Sequence, residues 1–174
     1  DRAALRDALR RGAVSCIATD HAPHARQEKE VPFEEAPFGV TGLETAFAAL
    51  YTHLVLPCEL TLETVVERMS SGPARAFGLD EPRIEVGARA NLAVLDLDAE
   101  WTVTEDGFRS LSANSWLLGE TLQGRVVKTI ADGRLAFGGR PLCPFLRPFF
   151  LEAADEVRVR VAAETIAAIG ERMV

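Results

Sequence analysis

Apolar residues near the start of the chain recur at helical spacing. In DRAALRDALRRG (1–12), Leu5 and Leu9 share one helical face, and Gly12 is suited to end the helix in a left-handed conformation. The pattern therefore predicts a helix over most of this stretch. Because Asp1 already lies inside that helix, we expect that preceding chain is missing.

Two more helices and a turn are predicted in the first half of the chain. TGLETAFAALYTHLV (41–55) repeats apolar residues at helical spacing, and Thr41 with Glu44 fits a capping box at its start. A further helix is expected near Thr61–Met69, with its threonine as the N-cap. Residues 70–79 are typical of a turn with a short helix.

A buried strand is predicted between the first two helices. AVSCIAT (13–19) is rich in small and β-branched residues, as parallel strands buried on both faces are. Asp20 follows directly. A helix, a buried strand and then polar residues form the α/β pattern, in which chemistry is found at the C-terminal ends of strands.

The predicted secondary structure changes from helices to strands after about residue 82. Short β-rich runs separated by turn signals predict a small antiparallel β unit over 83–139, of the β-sandwich type, with an Asp-Gly hairpin turn at 131–134. The tail, 140–174, combines a proline-rich connector with a predicted C-terminal helix. The remaining segment, 1–82, carries the strand and helices described above.

Composition narrows the class of protein and its location. Nineteen basic against 26 acidic residues give a net charge of −7, which argues against nucleic-acid binding. No apolar run reaches the length of a membrane-spanning helix, and no secretory signal opens the chain. The few cysteines, without a CxxC pair, disfavour a disulfide framework or a thiolate zinc site: Cys16, Cys58 and Cys143. A cytoplasmic location is expected.

The stretch ATDHAPH (18–24) gathers residues that can carry chemistry. A carboxylate just past a buried strand, as Asp20 is, can ligate a divalent metal or take a proton from metal-bound water. His24 lies beyond a proline and could donate a hydrogen bond to a substrate carboxylate or carbonyl. The alternative is a polar turn without function. A metal site made by Asp20, His21 and His24 alone is disfavoured, because ligands so close in sequence rarely reach tetrahedral geometry.

The order of several short motifs resembles a known family. ATDHAPH is followed by EK at 28–29, APFG at 36–39 and GLETAF at 42–47. This order closely resembles the C-terminal part of bacterial dihydroorotases, which are zinc amidohydrolases with a (β/α)8 barrel and a small appended β domain. The match is dense over 1–60 and looser to about residue 139. The resemblance implies an α/β fold: the last part of such a barrel, then a small antiparallel β domain and a helical tail.

The resemblance also implies roles for individual residues. Asp20 matches the aspartate that ligates zinc and acts as general acid and base, with one or two zinc ions as the cofactor. His24 matches a histidine that contacts the substrate carboxylate, and Phe38 and Gly39 match a loop pair that contacts the substrate. The reaction implied is the reversible hydrolysis of L-dihydroorotate to N-carbamoyl-L-aspartate in pyrimidine biosynthesis.

Other polar residues near these motifs receive structural interpretations. His21 is expected to support the end of the strand, and Lys29 to be a solvated or salt-bridged loop charge. Glu44 is explained by the capping box, and His53 by a place on a helix face.

In dihydroorotases the remaining metal ligands would lie upstream of Asp1. We therefore expect that the chain is inactive alone and exposes apolar surface where the missing N-terminal barrel half packs. Other expected partners are a second copy or aspartate carbamoyltransferase. Two alternatives are open: a hydantoinase- or allantoinase-like cyclic amidase, and a non-catalytic dihydroorotase-like partner of aspartate carbamoyltransferase.

Overall fold

The computed structural model describes residues 1–138, in which helices precede a small sheet. The helical segments are α1 (Arg2–Arg11), α2 (Arg26–Lys29), α3 (Ala46–Leu50), a π-helical turn (Tyr51–Val55), α4 (Leu62–Met69) and α5 (Ser71–Phe77). Gly12 ends α1 with φ 77°, and the Thr61 hydroxyl accepts the N–H of Thr64 at 3.1 Å at the start of α4. The predicted ends of both helices are thereby confirmed.

The predicted start of the third helix is wrong. Helix α3 begins at Ala46, after Thr45, and the capping box does not form. Thr41 is buried, and its hydroxyl has no hydrogen-bond partner among residues 1–138. The Glu44 carboxylate instead accepts the backbone N–H groups of Arg109 and Ser110 at 2.9 Å each. The carboxylate that a local capping box would use is therefore bonded to distant residues.

The β unit contains one three-stranded antiparallel sheet in the described part of the chain. Strands β1 (Leu92–Thr102), β2 (Thr121–Ala131) and β3 (Arg134–Gly138) lie in the order β1–β2–β3. Asp132 and Gly133 form the turn between the last two strands with φ 50° and 75°. Positive φ at both positions is the geometry that Asp-Gly favours, so the predicted hairpin is confirmed. A second sheet, as a sandwich would need, is absent from residues 1–138.

Helix α3 and the π-helical turn lie between two apolar clusters. On one side Ala48 packs with buried residues of the β unit: Val103, Leu117 and Leu122. On the other side Phe47 and Leu50 join a cluster of helical residues: Leu60, Val65 and Met69. Close approach to the sheet depends on Gly124 of β2, where an added Cβ would lie 2.9 Å from the Tyr51 ring. The sheet and the helices therefore form one packed structure.

The predicted strand over 13–19 is not assigned as a strand. Residues 13–14 bend and 15–19 have no regular secondary structure, and the Ile17 N–H donates to Arg68 O at 2.9 Å. Just beyond it, His21 pairs with Val40 in an isolated parallel bridge. A parallel strand needs neighbours on its edges, and residues 1–138 offer this segment little more than these contacts. The place of 13–19 in a barrel stays a prediction.

Many large apolar side chains lie exposed to solvent. Val86, Leu111 and Phe38 are almost fully exposed, and other exposed side chains come from helices, sheet and connecting segments: Leu5, Phe77, Ile84, Trp116 and Leu135. That a missing barrel half packs on such apolar surface stays a prediction. The predicted connector and helix of 140–174 lie outside the described residues, and no helix within 1–138 has the length and apolarity to cross a membrane.

Candidate active site

Asp20 directly follows the 13–19 segment and has a free carboxylate. Its φ is 47°, a left-handed conformation that aspartate adopts more readily than most residues. The residue is exposed, and its carboxylate has no hydrogen bond or ion pair with any residue of 1–138. The side chain is therefore available to a ligand, a metal ion or a proton.

His21 is a supporting residue, as the sequence suggested. Its Nδ1 accepts the backbone N–H groups of Gly42 at 3.2 Å and Leu43 at 3.3 Å. A ring nitrogen that accepts carries no proton, so these contacts leave Nε2 as the ring atom that can donate. The ring thereby ties the 40–43 segment to the residue next to Asp20.

His24 is hydrogen-bonded to another predicted substrate contact, Phe38. Its Nε2 lies 2.9 Å from the carbonyl oxygen of Phe38 and must donate to it, because a carbonyl only accepts. Its Nδ1 lies 3.6 Å from the Glu28 carboxylate. With Nε2 engaged, the ring can donate to a substrate only as the imidazolium, through Nδ1. The Phe38 side chain itself is 97% exposed.

Gly39 is required by both backbone conformation and space. Its φ is 105°, and an added Cβ would lie 2.5 Å from the Cβ of Ala22. The two segments are also joined by the Ala22 N–H, which donates to Val40 O at 2.9 Å. The backbone at Gly39 thus packs directly on the stretch that carries Asp20 and His24.

Lys29 holds the backbone of the predicted substrate loop. Its ammonium donates to the carbonyl oxygens of Pro37 and Gly39, each at 2.6 Å. The interpretation of Lys29 as a solvated or salt-bridged charge is therefore wrong. Together with the His24–Phe38 bond, three consecutive carbonyls, which we call the 37–39 turn, are fixed by side chains from the preceding segment.

Asn114 is the residue at the site that sequence reasoning missed. It lies in the connection between β1 and β2, and its Nδ2 donates to Ala22 O and Gly39 O at 3.3 Å each. Its Oδ1 accepts the N–H of His24 at 3.3 Å and lies 2.5 Å from Ser112 Oγ. The sequence signal was weak, since a lone asparagine between two strands is typical of a turn.

A surface ion pair makes a second link between residues 21–40, which we call the site loop, and the β unit. Arg26 donates to Glu105 at 2.5 Å and to Glu30 at 3.3 Å. The hydrogen bond to Glu105, followed by that to Glu30, raises the pKa of Arg26 above its usual value. The guanidinium therefore stays charged at any physiological pH.

The described residues contribute at most part of a metal site. Within 1–138 no three side chains of histidine, cysteine, aspartate or glutamate lie close enough together to hold a metal ion. Asp20 could serve as one ligand, and a single carboxylate does not make a zinc site. His53 lies away from this region, 3.3 Å from Glu120. Cys16 and Cys58 are free thiols.

Comparison with known proteins identifies the class of protein. The model of the amidohydrolase family matches residues 1–136. The chain belongs to the amidohydrolase family.

Curated relatives within this family are dihydroorotases. The chain is 47% identical to dihydroorotase of Listeria welshimeri over 137 residues, and 43% identical to that of Enterococcus faecalis over the same length. Each match covers 79% of this chain and 32% of the relative. The chain therefore spans about a third of the length of the curated relatives it matches.

Solved structures of related enzymes share the fold. L-hydantoinase from Arthrobacter aurescens superposes with a TM-score of 0.71 at 33% identity, over 79% of this chain and 32% of that one. Dihydropyrimidinase from Brevibacillus agri gives a TM-score of 0.73 at 21% identity, over 82% and 32% of the two chains. The second likeness concerns the fold alone.

Proposed function

We propose that this chain forms the C-terminal part of a dihydroorotase, which interconverts L-dihydroorotate and N-carbamoyl-L-aspartate. The observation that carries the proposal is the 43–47% identity to curated dihydroorotases over 137 residues. The site geometry supports it, because a free carboxylate lies on a segment that is bonded to the 37–39 turn. In this proposal 1–82 completes a barrel, and 83–139 forms the appended β domain.

Asp20 is the proposed acid and base of the reaction. Opening the ring amide requires that a proton leave the attacking water and that a proton reach the departing nitrogen. A carboxylate without hydrogen-bond donors on it can do both in turn. The exposed position of Asp20 leaves room for a substrate ring beside it.

His24 and the 37–39 turn are the proposed substrate-binding groups. Dihydroorotate carries a carboxylate, for which the His24 imidazolium would be a charged donor at Nδ1. The Phe38 side chain is exposed and the Gly39 backbone is held in place, so both are available to contact the ring.

Zinc is the proposed cofactor, with Asp20 as one of its ligands. When bound, zinc would supply Lewis-acid activation of water and of the amide oxygen. The described residues do not make a complete site, so the further ligands would have to come from outside 1–138. The expected homodimer, the partnership with aspartate carbamoyltransferase and the cytoplasmic location likewise stay predictions.

A second candidate function is the hydrolysis of hydantoin-like rings. It is favoured by the 33% identity and TM-score of 0.71 to L-hydantoinase. Such rings need not carry a carboxylate, so His24 would have no anionic group of the substrate to bind.

Transplantation tests the proposal directly. Residues 1–138 replace the matching segment of the Listeria welshimeri dihydroorotase, and the turnover of dihydroorotate is measured. We expect an active graft in which Asp20→Asn lowers kcat by about 10²–10⁴-fold, the usual contribution of a general acid or base. Asp106→Asn, the same change at an exposed aspartate in the short turn Glu105–Gly107, should leave kcat unchanged.

The outcomes separate the two functions. A folded graft without turnover, or an Asp20→Asn graft with full turnover, would contradict the dihydroorotase proposal. The reciprocal graft into L-hydantoinase tests the alternative, which gains support if only that graft is active.

A further inference from the structure

We propose that Asn114, from the β unit, is a positioning residue that sets substrate affinity by fixing His24 relative to the 37–39 turn. The inference rests on the proposed function, in which those two elements bind the substrate. In this inference the β1–β2 connection contributes a residue to the site.

The side-chain amide of Asn114 bonds both substrate-binding segments. On one side it accepts the His24 N–H and donates to Ala22 O, and on the other it donates to Gly39 O, all at 3.3 Å. The partners fix its orientation, because a backbone N–H only donates and a carbonyl only accepts. One planar group therefore spans the gap between two segments that are about fifteen residues apart in sequence.

Neighbouring contacts strengthen the same connection. The Asn114 carbonyl accepts the N–H of Thr41 at 3.1 Å, just beyond the turn. Ser112 Oγ lies 2.5 Å from both His24 O and Asn114 Oδ1, and its proton goes to one of these acceptors. Residues of the β unit thus lie within hydrogen-bond distance of both the backbone N–H and the backbone carbonyl of His24.

Asn114 has no place in the chemistry itself. Its polar atoms are used by the backbone, and none is left over for a substrate. Loss of its hydrogen bonds should loosen His24 and Gly39 equally in the substrate complex and in the transition state. Such a loss of uniform binding raises KM and leaves kcat nearly unchanged.

The variant Asn114→Asp isolates the donated bonds. Aspartate has the shape of asparagine and keeps the acceptor for the His24 N–H, but its ionised carboxylate cannot donate to Ala22 O or Gly39 O. Asn91→Asp is the matched control. Asn91 lies in the same β unit, where its Oδ1 accepts the Asp132 N–H at the hairpin, far from His24 in the sequence.

The kinetic test uses the active graft. We expect Asn114→Asp to raise KM for dihydroorotate about ten- to a hundredfold with kcat within about twofold, as the loss of two hydrogen bonds in uniform binding predicts. Asn91→Asp should leave both constants unchanged. An unchanged KM in Asn114→Asp, or a fall in kcat at unchanged KM, would overturn the inference.

A second measurement does not depend on turnover. Amide hydrogen exchange of the 174-residue chain should accelerate in Asn114→Asp at Ala22, whose N–H donates to Val40 O between the two segments. It should not change at Val103, whose N–H donates to Glu120 O within the β unit. Unchanged exchange at Ala22 overturns the inference even if the graft is active. The two proposals can also fail separately. If the unsubstituted graft folds but is inactive, while exchange accelerates in the Asn114→Asp chain, the proposed function is refuted and the positioning by Asn114 is upheld.

Discussion

The ammonium of Lys29 lies 2.6 Å from the carbonyl oxygen of Gly39 and at the same distance from that of Pro37. These bonds close the loop that follows α2 back onto itself. Because one ammonium bonds two carbonyls of the 37–39 turn, it restricts the path of the backbone there.

Replacing Lys29 by methionine should loosen this loop. Methionine keeps most of the length and the apolar stem but has no donor, so two carbonyls lose a charged partner, at a cost of about 1–3 kcal/mol in the free energy of unfolding. Urea unfolding of the 174-residue chain measures the change. Arg26→Met is the control, since Arg26 makes only exposed ion pairs and should matter little. Equal effects of the two substitutions would argue against the role of Lys29.

Alanine at position 39 should be more costly than alanine at another glycine of similar conformation. Gly39→Ala combines a positive φ with a contact of 2.5 Å to Ala22, and we expect a loss of about 3 kcal/mol. Gly87 has φ 91° and open space around it, so Gly87→Ala should lose only about 1 kcal/mol. Thermal unfolding of both variants gives the comparison. If both variants lose the same free energy of unfolding, the close approach of Gly39 to Ala22 does not affect stability.

Glu44→Ala should destabilise the contact between the start of α3 and the β unit. The carboxylate accepts two backbone N–H groups, and hydrogen bonds to charged acceptors contribute about 1.5–3 kcal/mol each at most. We expect a loss near the lower figure, about 1.5 kcal/mol, because Glu44 is exposed. Glu34→Ala, at an exposed glutamate of the site loop, serves as the control in the same unfolding assay. A loss no greater than that of the control would mean that the bonds from Arg109 and Ser110 to Glu44 contribute little to stability.

The 174-residue chain alone should not turn over dihydroorotate. Its described residues bring together no three metal ligands, and Asp20 alone cannot hold zinc tightly. The assay is the release of N-carbamoyl-L-aspartate with added zinc, alongside the active graft. Measurable turnover by the isolated chain would contradict this expectation.

Local patterns predicted the elements that depend on local forces. The helix ends at Gly12 and Thr61 and the turn at Asp132–Gly133 follow from backbone conformation and nearby hydrogen bonds, which a short window of sequence contains. The supporting role of His21 also emerged, because its partners lie in the motif next along the chain.

The contacts that shape the site are long-range and were not visible in the sequence. Asn114 reaches His24 across 90 positions, and Glu44 reaches Arg109 across 65. The Glu44 carboxylate could bond either a local capping residue or a distant backbone N–H, and the sequence pattern alone does not decide between them. Likewise, the apolar pattern of 13–19 indicates burial, but strand pairing requires neighbours that the pattern does not contain.

The bonds between the β1–β2 connection and the site loop have a consequence for how such chains can recombine. A crossover between residues 45 and 108 would pair a loop from one ancestor with the β unit of another. Asn114 would then meet loop carbonyls, and the N–H groups of Arg109 and Ser110 would meet a residue 44, that come from a different ancestor. Exchange of the β unit among relatives should therefore succeed only together with the loop that it holds.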